Sequence, residues 1–204
     1  DTDAYELYIS NDWVGGTINR IVMDCVKNPP VICPMANGKE IKGRLAKRIQ
    51  EATNFFSNPN DNKESFRSIR AKIIRDIEVY GRGAMEKVVD VNTRHLEEIY
   101  ALFSRNIRVR SDAHGNQPAQ DAYRLKPEMT PSGQAMGEEK FDLDEVVFMV
   151  LNPLSNSHYG IKPLDILAFS VSVDILRGTF NGTNFLNGAE PSGIIGMEGM
   201  SKGE

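Results

Sequence analysis

Histidine is the first residue type to test for chemistry, because imidazole serves both as a general base and as a metal ligand. His95, His114 and His158 show no HxH or HxxxH spacing, so no zinc pattern is present and all three read as exposed or turn residues. Asp142, Asp144 and Glu145 could offer oxygens to a hard divalent cation. They directly precede the apolar run 146–150, however, and read more simply as a solvated loop rim. Gly81-Arg82-Gly83 lacks the GxxxxGK[ST] pattern of a phosphate loop and follows a helical pattern rather than a strand, so it reads as a helix end and turn. No serine or cysteine has a paired base at a recognisable spacing. Lys42, Arg44, Lys47 and Arg48, with Arg67, Arg70, Lys72 and Arg75, could grip nucleic acid. Acidic neighbours such as Glu51 and Asp76 make them ordinary solvated helix faces instead. The chain is therefore expected not to be an enzyme, and to need no cofactor and no metal.

The composition agrees. Over 204 residues, 24 basic groups stand against 28 acidic ones, a formal charge of −4. A chain that grips DNA carries the opposite excess, because counterion release supplies its affinity. Apolar residues make up 40% and charged ones 25%, which fits a globular protein with a real core. No apolar run approaches the ~20 residues that span a bilayer. Cys25 and Cys33 form no CxxC pair, which suggests a reducing compartment with Cys25 as a small core hydrophobe. The start at Asp1 has no signal-like pattern and no initiator Met. The expectation is a cytosolic, soluble chain whose natural start is missing.

The elements that must position any function follow from periodicity. Ile18, Ile21, Val22, Cys25 and Val26 recur at helical steps, predicting a helix over 17–27 with Thr17 as N-cap and Pro29-Pro30 as its stop. A second helix is expected over 40–56. A third is expected over 62–80, started by Asp61 and Glu64 in capping-box spacing. After Gly83 the period shifts toward two. Strands are expected over 84–90, 107–110, 122–126 and 141–151, the last buried on both faces. Residues 95–103 suggest a short helical turn, and 127–140 a surface loop. From Pro163 to about Asn187 a helix of ~25 residues would run ~37 Å. Its polar residues Ser170, Asp174, Arg177, Asn181 and Asn184 step by three and four into one narrow stripe. Apolar flanks on both sides, Ile166-Phe169-Val173-Leu176-Phe180 and Leu164-Leu167-Val171-Ile175, imply neighbours on two sides. The fold class is α+β: N-terminal helices packed on a small mixed or antiparallel sheet, followed by one long helix.

Several passages resemble the portal protein family of tailed bacteriophages. Ile73-Ile74-Arg75-Asp76-Ile77-Glu78-Val79-Tyr80-Gly81-Arg82-Gly83-Ala84-Met85-Glu86 is similar to that family's helix end, Tyr-Gly turn and strand. Leu96-Glu97-Glu98-Ile99-Tyr100-Ala101-Leu102 with Ile107-Arg108-Val109, then Tyr123 and Asp144-Glu145-Val146-Val147-Phe148, look like its following passages. The most specific pair flanks the long helix. Tyr159-Gly160-Ile161-Lys162-Pro163-Leu164 resembles the family's Gly-x-Ser-Pro-Leu, with Lys162 where Ser is usual. Phe185-Leu186-Asn187-Gly188-Ala189-Glu190-Pro191-Ser192-Gly193 resembles its Phe-x-Asn-Gly-Ala-x-Pro-Ser-Gly.

The resemblance implies a subunit of a ring, commonly a dodecamer, at one capsid vertex. Double-stranded DNA passes through such a ring, without sequence specificity, in packaging and ejection. It implies an N-terminal extension over 1–16, a wing domain over 17–158, a first stem helix over 159–187 and the start of a clip over 188–204, so that 204 residues would be a piece of a longer chain. Ser170, Asp174, Arg177, Asn181 and Asn184 become candidates to face the channel or a neighbouring subunit. Asn187, Gly188, Pro191, Ser192 and Gly193 become candidates to touch the motor. The partners implied are further copies of the chain, the large terminase, a head-tail adaptor and the major capsid or scaffolding protein, with no membrane. The implied location is the virion, with the host cytoplasm during assembly. A weakly acidic wall suits a channel in which DNA, at one charge per ~1.7 Å, must slide. Two rivals predict otherwise: a small metal-dependent hydrolase or nuclease on Asp142, Asp144 and Glu145, and a soluble interaction adaptor.

Overall fold

The computed structural model describes residues 2–33, 43–126, 137–155 and 157–188. Among these residues it is an α+β fold: four helices, two antiparallel sheets and then one long helix. Helix α1 spans Thr2–Ser10 and α2 spans Asp12–Val26. The residues expected to be an extension are thus helical, and α2 starts five residues before Thr17. Asn11 is the cap that decides this start: its side-chain oxygen accepts from the Val14 amide at 3.0 Å, meeting one of the amides that a helix start leaves unpaired. Ile18, Val22 and Val26 are buried as the period requires. Cys25 is exposed, so its expected core place is corrected. Ile21 is exposed as well, so the buried stripe, which meets both α1 and α4, is narrower than the sequence suggested.

Helix α3 spans Arg44–Ser57 and α4 spans Phe66–Tyr80. The capping box expected at Asp61 and Glu64 is replaced by two separate caps. Ser65 accepts from the Ser68 amide at 3.2 Å, while Asn60 accepts from the Glu64 amide at 3.2 Å. Asn60 also donates to the Ile99 carbonyl at 3.0 Å, a non-local bond that fixes the turn ahead of the helix. Gly81 ends α4 at φ 70° and donates its amide to the Ile77 carbonyl at 2.9 Å. This left-handed C-terminal cap is a conformation that glycine adopts without steric penalty.

Strand β1, Arg82–Val89, is the centre of the first sheet, between β2, Leu96–Leu102, and β6, Val146–Val150. The expected helical turn at 95–103 is therefore a strand. Leu96, Ile99 and Leu102 do recur at a helical step, but in-register pairing such as Ala84 with Leu102 and Lys87 with Ile99 overrides that local period. The second sheet holds β3, Ile107–Val109, β4, Tyr123–Leu125, and β5, Glu139–Phe141. Glu139 and Lys140, expected in a loop, pair with Leu125 and Arg124. The single strand expected over 141–151 is divided: its start belongs to β5 and its end to β6, and β6 is only half-buried past Val146. Residues 127–136 of the expected loop lie outside the described residues. The sheets share a core of Ala84, Leu102, Ile107, Tyr123, Phe141 and Val146.

Helix α5 spans Pro163–Leu186, with Pro163 at its start and Asn187 as its cap, close to the bounds the sequence predicts. Proline loses nothing there, because the first amides of a helix have no intrahelical acceptor.

Candidate assembly surface on the long helix

One knot of buried groups sets where α5 begins. Arg82, 4% exposed, donates from Nε to the Ser104 carbonyl at 2.9 Å and from a terminal nitrogen to the Arg105 carbonyl at 3.0 Å. Its guanidinium lies 4.7 Å from the centre of the Tyr159 ring, and burial lowers its pKa. The Tyr159 hydroxyl accepts from the Val109 amide at 3.0 Å, and its ring meets Phe148 edge-on at 6.3 Å. The residues just ahead of α5 are thereby tied to both sheets. Gly81-Arg82-Gly83 is thus a structural joint.

Asp76 of α4 accepts the Ser104 amide at 3.1 Å. Burial raises its pKa above 3.8, against the lowering effect of the Ser104 hydrogen bonds and of Arg75 and Arg82. A carboxyl raised on folding holds its proton more tightly in the native state than in the unfolded chain. Its contribution is therefore full below 3.8 and is lost as pH rises through the folded value. Asp76→Asn keeps an oxygen for the Ser104 amide and removes the charge. Urea unfolding across pH is expected to show a flatter acid-to-neutral slope for the variant, with its advantage largest at neutral pH. An unchanged slope would refute that account.

Helix α5 leaves the body along one seam. Leu164 and Val171 are buried, and Ala168 and Ile175 are half-buried. They face α1 and α4, with Leu164 joining Ala4, Ile18, Val22, Val79 and Tyr80 in one cluster. Asn11, 6% exposed, donates from its side-chain nitrogen to Asp174 at 2.9 Å. The residue that caps α2 therefore also holds the middle of α5. The sequence gives no sign of this, because 163 residues separate the partners.

The flank Ile166-Phe169-Val173-Leu176-Phe180, on the far side from the seam, has no neighbour among the described residues: Phe169 is 82% exposed and Phe180 is 72% exposed. A depression of about 410 Å³ opens there between Val173, Leu176, Arg177, Phe180 and Asn181. Among the described residues, the neighbours expected on two sides are present on one. Within the other expected flank, Leu167 is exposed too. Beyond Ile175 the seam continues as Gly178 and Gly182, where an added Cβ would meet nothing within 4 Å. Each glycine costs a helix roughly 1 kcal/mol relative to alanine, so their place in the last three turns calls for a packing reason. Ser170, Asp174, Arg177, Asn181 and Asn184 are all exposed and lie between the bare flank and the seam. Of the motor-contact candidates, Asn187 and Gly188 follow α5 and are exposed. Pro191, Ser192 and Gly193 lie outside the described residues.

The other candidates are not brought together as a reactive centre. The Asp142 side chain accepts from the Asp121 amide and its own amide donates to Glu145, while Asp144 pairs with Arg94 at 3.9 Å. Among the described residues, no group of three or more His, Cys, Asp or Glu side chains is placed to hold a metal ion. His114 and His158 border one cleft of about 460 Å³ with Asp112 and three serines; His95 is not part of it. On the basic faces, Arg70 binds the carbonyls of Cys25 and Asn28, and Lys72 pairs with Glu64.

No family model matches the chain. No curated protein matches it either. Solved structures do. The fold is similar to a chain in the neck of an empty gene transfer agent particle with C6 symmetry, at 19% identity and TM-score 0.66, covering 98% of this chain and 50% of that one. A chain in the virion of the native gene transfer agent particle gives 19% and 0.65 over 93% and 47%. One in the neck of the native particle with C12 symmetry gives 18% and 0.65 over 98% and 49%. The chain spans about half the length of these neighbours and shares their fold.

Proposed function

We propose that the chain is a structural subunit of a portal-type ring at the head-tail junction of a phage-like virion, with α5 as one stave of the wall around a DNA channel. The observation that carries this reading is the bare flank of α5. A helix packed on the body along one side and apolar on the other is built to stand between neighbours. The fold shared with chains of gene transfer agent necks, which were computed with C6 and C12 symmetry, supports the same reading.

In this arrangement 17–158 form the wing, 159–187 the stem helix and 188–204 the start of the clip. Ser170, Asp174, Arg177, Asn181 and Asn184 line the channel or the contact beside it. That stripe holds one charge of each sign, so it grips the phosphate backbone weakly and lets DNA slide in either direction without reading its sequence. The clip side, with Asn187, Gly188, Pro191, Ser192 and Gly193, meets the large terminase and then a head-tail adaptor, and the wing meets capsid or scaffolding protein. The ring works in the virion after assembly in the host cytoplasm, and its role is structural rather than catalytic.

Mass photometry and negative-stain microscopy over a concentration series test this. Discrete rings are expected, with assembly lost in Phe169→Asp/Phe180→Asp while the melting curve stays in place, because both side chains are exposed in the single chain. A monomer at every concentration, or an assembly that the double variant leaves intact, would overturn the proposal.

A further inference from the structure

The two uncovered surfaces of α5 differ in kind and lie on opposite sides of one helix. Ile166, Phe169, Val173, Leu176 and Phe180 form a ridge of large side chains. Gly178 and Gly182 form a lane with no side chain, open for at least 4 Å where each Cβ would stand. By sequence position ridge and lane overlap in height: Leu176 and Phe180 alternate along the axis with Gly178 and Gly182, within two residues or ~3 Å of each other. The ridge presents on the order of 600 Å² of apolar surface, judged from the usual areas of such side chains. That is at the top of the ~300–600 Å² that a monomer commonly leaves bare, and it nears the ~800 Å² each partner gives a stable interface.

From this area and this complementarity we infer that the ridge of one copy is covered by the glycine lane of a second copy of the same chain. The contact is head-to-tail: Leu176 and Phe180 of one copy seat in the Gly178–Gly182 lane of the next. This inference rests on the ring reading above, whose contacts are head-to-tail in any closed ring of more than two copies, and adds which two surfaces meet. A two-fold contact would use the same patch on both copies, burying two ridges together and leaving both lanes empty. A rotation that keeps all copies at one height brings ridge to lane at matching levels and repeats until the ring closes. Glycine is the fitting residue in the lane because helix axes already lie only 8–10 Å apart when side chains fill the contact. Removing the side chains there lets a phenylalanine enter. The polar residues on either side of the ridge, Arg177 and Asn181 on one and Ser172 and Thr179 on the other, then face the two open sides of the wall.

Thiol crosslinking separates the possibilities. In a Cys25→Ser/Cys33→Ser background, both native thiols being exposed, the pair Phe180→Cys and Gly182→Cys in one chain is treated with a short bismaleimide. A ladder of dimers, trimers and higher rungs is expected. Either single variant alone should give no ladder, and the two singles mixed should stop at dimers. Dimers from Phe180→Cys alone would show ridge meeting ridge and overturn the inference. So would oligomers that the paired variant fails to crosslink, an outcome that leaves the ring reading standing. A monomer by light scattering at every concentration would overturn both. Gly182→Leu gives a second check: it should abolish the oligomer while the monomer keeps its far-UV spectrum and its melting temperature does not fall, because leucine favours the helix more than glycine does. Persistence of the oligomer in this variant would also overturn the inference.

Discussion

Gly160→Ala is expected to prevent the chain from reaching its native state, or to destabilise it by about 4 kcal/mol or more, the range reached when a backbone contact cannot relax. A Cβ at this position would stand 1.7 Å from the Leu151 carbonyl oxygen and 2.7 Å from that of Gly81. Neither obstacle is a flexible side chain. Leu151 donates its amide to the Gly81 carbonyl at 2.8 Å, and Gly160 pairs with Pro153 in an isolated bridge. Three backbones therefore meet at one point: the end of α4, the end of β6 and the approach to α5. Opening that point to admit a methyl group moves α5 relative to both sheets. Urea denaturation followed by circular dichroism checks this, and a midpoint close to that of the parent would refute it. In a ring, every copy would carry the same displacement, so assembly should be lost along with stability.

Arg82→Ala is expected to destabilise the chain by about 3 kcal/mol, and Arg82→Lys by about 2. Both estimates come from the ~1–3 kcal/mol cost of each buried acceptor left without a donor. The guanidinium serves the Ser104 and Arg105 carbonyls at once while lying over the Tyr159 ring. A lysine amine brings one point charge and cannot reproduce the planar fork. Tyr159→Phe separates the ring from its hydroxyl. It leaves the Val109 amide unpaired but keeps the face against Arg82, so a loss of about 1 kcal/mol is expected. Thermal melts of the three variants check the order, and a Tyr159→Phe loss as large as that of Arg82→Ala would contradict it.

Much of the framework is legible in the residues. The 3.6-residue period over 66–80 and 163–186 holds in the fold because these segments are long enough for one face to dominate, and because Gly81 and Pro163 mark an end and a start with unambiguous chemistry. Residues 96–102 mislead for the opposite reason. Seven residues with apolar positions at steps of three fit either state locally, and only the hydrogen bonds offered by β1 decide for a strand. The divided strand after residue 138 fails in the same way: Phe141 and Val146 share one core, yet their backbones pair in different sheets. Nothing in the spacing of Arg82, Ser104, Asp76 and Tyr159 forecasts their meeting. Their partners are mostly backbone carbonyls and amides, which every residue carries.

The sequence by itself determines the α+β class, the long helix with its start and end, the polar stripe upon it, and the lack of a recognisable catalytic spacing. All of these follow from local period, capping chemistry and composition. Tertiary structure alone decides which flank of that helix is used within the chain. Packing against α1 and α4 occupies the Leu164–Ile175 side, and the Asn11 bond to Asp174 holds it there. Among the described residues, nothing covers the Ile166–Phe180 side or the glycine lane. A stripe on a helix is set by the order of residues along it, but whether that stripe is core or interface depends on what the rest of the chain can reach, and no local period contains that information.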